Sequence, residues 1–293
     1  MHRTGTALFL LLAGTGSAHA IAVSPTDDAS TLVNNIIGPG ITLQGAPTYT
    51  DGDDVTQSGT FTDGNSSGIG IDQGVVMTTG SAADVDNTNT SDATSTDTNA
   101  AGDPDLDNLV APEETQDAAV LEFDFTTDSG NLAFNYVFAS EEYNEYVNQE
   151  FNDVFGFFLD GQNIALLPGT STPVSINNVN GGNPLGTNAS NAQLYNNNDL
   201  DDGGPNFDFE YDGFTDVLTA QGTNLGTGTH SIKLAIADTA DGLFDSGVFI
   251  ESGSFTGDPG PGPEPVPAPG TALLLGLGMA GLGWAGRRST RTD

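Results

Sequence analysis

Ala118-Ala119-Val120-Leu121-Glu122-Phe123-Asp124-Phe125, followed after a turn by Leu132-Ala133-Phe134-Asn135-Tyr136-Val137-Phe138, sets the fold class of this chain. In the first run Leu121, Phe123 and Phe125 alternate with Glu122 and Asp124, the period-two pattern of a strand with one buried and one solvated face. The second run repeats the pattern with Leu132, Phe134, Tyr136 and Phe138. Outward from this pair, apolar runs at 69–79 (with Val75-Val76), 154–159, 174–179, 217–219, 232–236 and 248–255 lie between turns rich in Gly, Asn and Asp. Short strands so punctuated predict a mainly β protein, an antiparallel β-sandwich or jelly-roll-like domain. One short N-terminal helix is expected over 30–37, capped by Ser30 and stopped by Gly38-Pro39, with Leu32, Val33, Ile36 and Ile37 on one face. No repeat of fixed period is present, which argues against a β-helix or propeller.

Both ends of the chain read as addresses. Residues 1–20 carry a weakly basic start (His2, Arg3), an apolar stretch and Ala18-His19-Ala20, the small-x-small pattern of a signal-peptidase site. At the other end, 258–270 is a Pro-rich linker, semi-rigid and extended. It leads into an apolar run at 271–286 and then Arg287, Arg288 and Arg291. As a transmembrane-type helix, this run of about 16 residues would span roughly 24 Å, against a hydrocarbon core of about 30 Å. Its shortness and its glycines suit a transient handle better than a permanent anchor, with the arginines cytoplasmic. The expected division is a signal peptide at 1–20, a β domain at 21–257, the linker at 258–270 and a sorting segment at 271–293.

Composition then excludes whole classes of function. The chain has 293 residues and no cysteine, so thiolate metal sites and cysteine nucleophiles are ruled out. Five Lys and Arg face 40 Asp and Glu, and about three quarters of the acids are Asp. Four of the five cations lie in the two terminal segments, leaving Lys233 and His230 as the basic residues of the body. Such a surface has nothing with which to replace the counterions of a nucleic acid, so no nucleic-acid partner is expected. Binding of the body to anionic lipid is excluded for the same reason. Lys233 reads as a paired cation on the outer face of its strand, because Ile232, Leu234 and Ile236 share the inner one. The competing reading is an isopeptide bond to an Asn or Asp.

Two resemblances add to this. Val266-Pro267-Ala268-Pro269-Gly270-Thr271, the Leu/Gly run and Arg287-Arg288 resemble a PEP-CTERM sorting signal, with Ala268 where that motif usually has glutamate. The resemblance implies processing by an exosortase, a membrane transpeptidase of Gram-negative bacteria. In the body, the segments 138–147, 151–159, 163–170, 173–179, 211–215, 232–238 and 245–251 follow one another in an order that resembles the choice-of-anchor L domain. That resemblance covers roughly 32–255 and implies an exported, surface-held β domain, with no activity to carry over.

Acidic loops of this composition suit hard cations with oxygen ligands, and Ca2+ is the expected cofactor. Asp103, Asp105, Asp107 and Glu114 stand at the 1, 3, 5 and 12 spacing of a calcium loop. Asp238, Asp241 and Asp245 form a second candidate set, in a turn between two strands, and 198–202 is a third. Residues 84–107, almost free of apolar side chains, read as a long surface loop. In segment 140–152, Glu141, Glu142, Tyr143 and Tyr146 interleave carboxylates with aromatics, a combination suited to stacking on a sugar or to a metal-bridged loop. A solvated acidic surface over packed aromatics is the plain alternative. The sequence thus predicts an exported, non-catalytic module of the cell surface or extracellular matrix with calcium-ordered acidic loops. The alternative is a lectin or glycan-active enzyme built on 140–152. Expected partners are an exosortase, exopolysaccharide and, through the tail alone, the membrane.

Overall fold

A computed structural model describes residues 20–52, 54–86 and 88–257. The signal-peptide and sorting-segment readings, including Pro267, Ala268, Pro269, Arg287 and Arg288, lie outside the described residues. Among the described residues no helix is long and apolar enough to cross a membrane.

In chain order the elements are β1 (Ala22–Pro25), α1 (Ala29–Ile36), β2 (Ile41–Thr50), β3 (Ser58–Thr62), α2 (Gly64–Ser67), β4 (Gly74–Thr78), α3 (Pro104–Val110), β5 (Thr115–Thr127) and β6 (Leu132–Ser140). They continue with β7 (Val154–Leu159), β8 (Gln162–Asn163), β9 (Tyr195–Asn197), β10 (Gly213–Thr215), β11 (Leu218–Gly222), β12 (His230–Thr239) and β13 (Ser246–Glu251). Every strand pairing is antiparallel, in two sheets. One runs β2-β5-β12-β7-β8; the other runs β1-β3-β4-β13-β6-β10-β9, with β11 also on β6. This is the expected β-sandwich architecture.

β5 and β6 are consecutive but sit in opposite sheets, so their alternating apolar residues face each other across the core. Phe134 packs on Phe157 and Phe138 on Phe155, both at 4.9 Å between ring centres. Phe255 closes one side of this core, with its ring 5.2 Å from those of Phe123, Phe125 and Phe134. β4 and β7 are buried along their whole length, because both sheets are also covered on their outer faces. Leu106 of α3 packs with Ala118, Val154, Phe158, Ala235 and Ala237 over one sheet. Phe209, Tyr211 and Phe214 pack with Phe61, Val137 and Phe249 over the other. A sheet buried on both faces loses the alternating signature.

Three local expectations are corrected. The cap of α1 is Asp28, whose carboxylate accepts from the Ser30 and Thr31 amides; Ser30 lies inside the helix. Residues 174–179 are not a strand: Val174, Ile176 and Val179 are buried, yet the backbone turns there and only Ser175 bridges to Val154. Among the described residues there are two α-helices besides the N-terminal one expected there, α2 and α3.

Candidate functional site

Antiparallel order brings several strand ends to one end of the sandwich. Ser140, the last residue of β6, stands opposite both Ser246 of β13 and Gly213 of β10. Ala237 near the end of β12 stands opposite Val154, the first residue of β7. The residues just past these ends are acids: Glu141 and Glu142 after β6, Asp153 before β7, Asp212 before β10 and Asp245 before β13. Asp238 lies in the last turn of pairing on β12. All six are at most 3 % exposed. The two sheets are tied together here by Asp153, which accepts from the Thr239 amide at 2.9 Å and from Ser246 Oγ at 2.7 Å.

The Thr-rich stretch before α3, expected as a free surface loop, lies across this acid end. The Thr94 amide donates to Glu141 Oε2 at 3.4 Å, and the Thr94 hydroxyl donates to Glu210 Oε1. The Thr96 amide donates to Asp245 Oδ1 at 3.0 Å, and Asn89 Nδ2 to Asp212 Oδ1 at 2.7 Å. The loop therefore holds one oxygen of each of these four carboxylates. Beneath it, Glu141 Oε1, Glu142 Oε2, Glu210 Oε2, Asp212 Oδ2 and both oxygens of Asp238 are buried and accept no hydrogen bond. A small cavity of about 10 Å3 opens among Asp84, Thr94, Glu141, Glu210 and Asp245.

Nothing basic is near. Lys233, the only Lys or Arg among the described residues, sits five positions before Asp238 on β12, about 17 Å along a strand. Burial pushes Glu142 up to about 10, and the charges of Asp153, Asp241 and Glu145 add to the shift. Burial also raises Asp245 and Asp212 to about 8, and Asp153 and Glu145 to about 7. Glu141 is driven well above the carboxylate range by burial, then by Asp212 and Glu210; Asp238 by burial, then by Asp153 and Asp245. Near neutral pH such a group of acids is stable only when its charge is taken up, by protons or by a cation. Among the described residues, no three of these side chains stand in ready-made metal geometry.

The residues singled out in the sequence divide unevenly. Asp103 caps α3, accepting from the Asp105 and Leu106 amides, and both its oxygens bond Lys233 Nζ, at 2.8 and 2.9 Å. Asp105 pairs with the same ammonium. Asp107 Oδ1 accepts from the Thr115 amide and hydroxyl, at 2.8 and 2.7 Å, and Glu114 is exposed. The 1-3-5-12 spacing thus falls on a helix start, which Asp followed by Pro signals in its own right. Asp238 and Asp245 do come together at the acid end, while Asp241 is half-exposed and accepts from the Leu243 amide. Within 140–152, Glu141 and Glu142 are buried in the acid end. Tyr143 is 0 % exposed and donates to the Val179 carbonyl at 2.7 Å, so it offers no face to a sugar. Tyr146 is half-buried between Phe151 and Phe244.

Sequence reasoning missed Asp153, Asp212 and Glu210. A signal was available: Asp153 and Asp212 directly precede a strand, as Asp245 does, and antiparallel order sends those starts to the end where β6 finishes. The profile of the choice-of-anchor L domain matches residues 22–256. No curated protein and no solved structure matches the chain.

Proposed function

Because this chain belongs to the choice-of-anchor L domain family, we propose that it is an exported, non-catalytic module of the cell surface or extracellular matrix, delivered through its tail and stabilised by calcium. Membership in itself implies an exported or surface-associated protein, of a family not known as catalytic. Delivery rests on the two terminal sequence segments. The first directs export; the second, similar to a PEP-CTERM signal, inserts transiently and is processed by an exosortase, leaving the domain in the envelope or among exopolysaccharide. The calcium reading rests on the acid end: buried carboxylate oxygens without donors, in a body with a single lysine committed elsewhere. Oxygen-only ligand sets of this charge suit a hard divalent cation.

Intact-mass measurement of the surface-exposed protein tests delivery. The expected species starts near Ile21 and lacks Arg287, Arg288 and Arg291; a surface form that still ends at Asp293 overturns processing. Thermal melts of the protein in EDTA and in millimolar calcium, at matched ionic strength, test the cation. Equal melting temperatures overturn the calcium reading, and equal stabilisation by sodium reduces it to screening.

A further inference from the structure

The geometry points to one calcium site, in the cavity bounded by Glu141, Glu210, Asp245 and Asp84 beneath the loop that carries Thr94 and Thr96. This deepens the calcium reading above and rests on it. Three of these carboxylates are each gripped by the loop through one oxygen: Glu141 and Glu210 by Thr94, and Asp245 by the Thr96 amide. That grip leaves Glu141 Oε1 and Glu210 Oε2 buried and without a donor. Glu141 is only 1 % exposed, so its bare oxygen cannot be solvated from outside. Both residues line the cavity, whose volume of about 10 Å3 is near the minimum for a single water-sized occupant.

The chemistry of the lining selects the ion. There is no imidazole or thiolate, which removes the usual donors for zinc. A cavity this small has no room for the waters that magnesium retains, whereas calcium accepts an irregular shell of carboxylate, hydroxyl and carbonyl oxygens at about 2.3–2.6 Å. Among the described residues no three such side chains already stand in metal geometry, so binding requires the bare oxygens to move inward. Because the same carboxylates hold the loop, binding tightens the loop: the ion fixes Glu141, Glu210 and Asp245, and they fix Thr94 and Thr96.

Equilibrium dialysis of the EDTA-stripped full-length protein with radioactive calcium tests the site. The wild-type chain should take up calcium, and the double variant Glu141→Gln with Glu210→Gln should weaken the tightest equivalent at least tenfold. Asp103→Asn, in the helix that pairs with Lys233, should leave that equivalent unchanged. The double variant removes two mutually repelling acids, so in EDTA it should melt no lower than the wild type. Hydrogen exchange on the wild type supplies a readout that needs no variant: calcium should slow exchange of the amides of Thr94 and Thr96 at least tenfold. Calcium uptake unchanged by the double variant, or no protection of those amides, overturns this site and leaves the calcium reading standing. No uptake by the wild type overturns both.

Discussion

Lys233 Nζ lies 2.8 and 2.9 Å from the two oxygens of Asp103, and that carboxylate also caps α3. One acid therefore joins a helix start to the outer face of β12. The ammonium sits 5.0 Å from the centre of the Phe158 ring as well. Asp103→Ala removes the cap and leaves Lys233 with Asp105 alone, and should cost about 2–3 kcal/mol. Asp103→Asn keeps a cap acceptor and loses the charge, and should cost about 1 kcal/mol. Urea unfolding of the two variants separates the contributions; equal losses would mean that the cap adds nothing beyond the ion pair.

The acid end sets a pH dependence of unusual sign. Asp153, Asp212, Asp245, Glu142 and Glu145 have folded pKa values raised above those of the unfolded chain. Between an ordinary carboxylate pKa of about 4 and the raised values, the folded state binds more protons than the unfolded state, so stability falls as pH rises. In EDTA the protein should be more stable at pH 5 than at pH 8. Each net proton contributes about 1.4 kcal/mol per pH unit, or roughly 3–6 °C in a domain of this size. Calcium should flatten the slope by favouring the ionised acids. Melting temperatures that rise from pH 5 to pH 8 in EDTA would contradict the electrostatics described.

Gly80 is present because Asp245 occupies the space a side chain would need. A Cβ there would stand 1.7 Å from Asp245 Oδ2. Gly80→Ala should displace that carboxylate, cost about 1–3 kcal/mol and open the Thr94–Thr96 region to limited proteolysis. Gly226→Ala, where nothing lies within 4 Å, is the neutral control. A Gly80→Ala protein as protease-resistant as the control would show that Asp245 does not hold the loop.

Phe255 joins three core rings from a position after the last strand of either sheet. Phe255→Ala should cost about 3–5 kcal/mol, read from urea unfolding. A cost near 1 kcal/mol would place the ring outside the cooperative core.

Much of the sandwich was legible because β5 alternates buried and solvated residues from Leu121 to Phe125, β12 sets Ile232, Leu234 and Ile236 together in the core, and β7 was bounded correctly at both ends by its flanking Asp and Gly. β2 escaped notice for a physical reason. It is an edge strand carrying Gly45 and Pro47, with a register break between Gln44 and Thr48, so its apolar signal is thin. Residues 174–179 misled in the opposite direction, since alternation reports which side chains are buried and not whether the backbone is paired. The acid end was half legible. Asp238, Asp245, Glu141 and Glu142 were singled out separately, but only strand order shows that they share a neighbourhood with Asp153, Asp212 and Glu210. The stretch at 84–107 read as surface loop because, up to the start of α3 at Pro104, its fixing contacts are made by Thr and Asn groups, which carry no hydrophobic period.

The segment at 255–257 is fastened back on the start of the domain. The Gly38 amide donates to the Phe255 carbonyl at 2.8 Å, the Gly257 amide to the Pro39 carbonyl at 3.1 Å and the Thr256 hydroxyl to the same carbonyl at 2.8 Å. On the far side of α1, β1 is hydrogen-bonded along the sheet edge to β3. A tether pulling on residue 257 therefore loads this clasp and, with it, the start of β6, where Ala133 and Thr256 exchange two backbone hydrogen bonds of 2.9 Å. Force arriving at residue 257 is thus shared between the entry to β2 at 37–40 and β6, with the Phe255 ring buried between them.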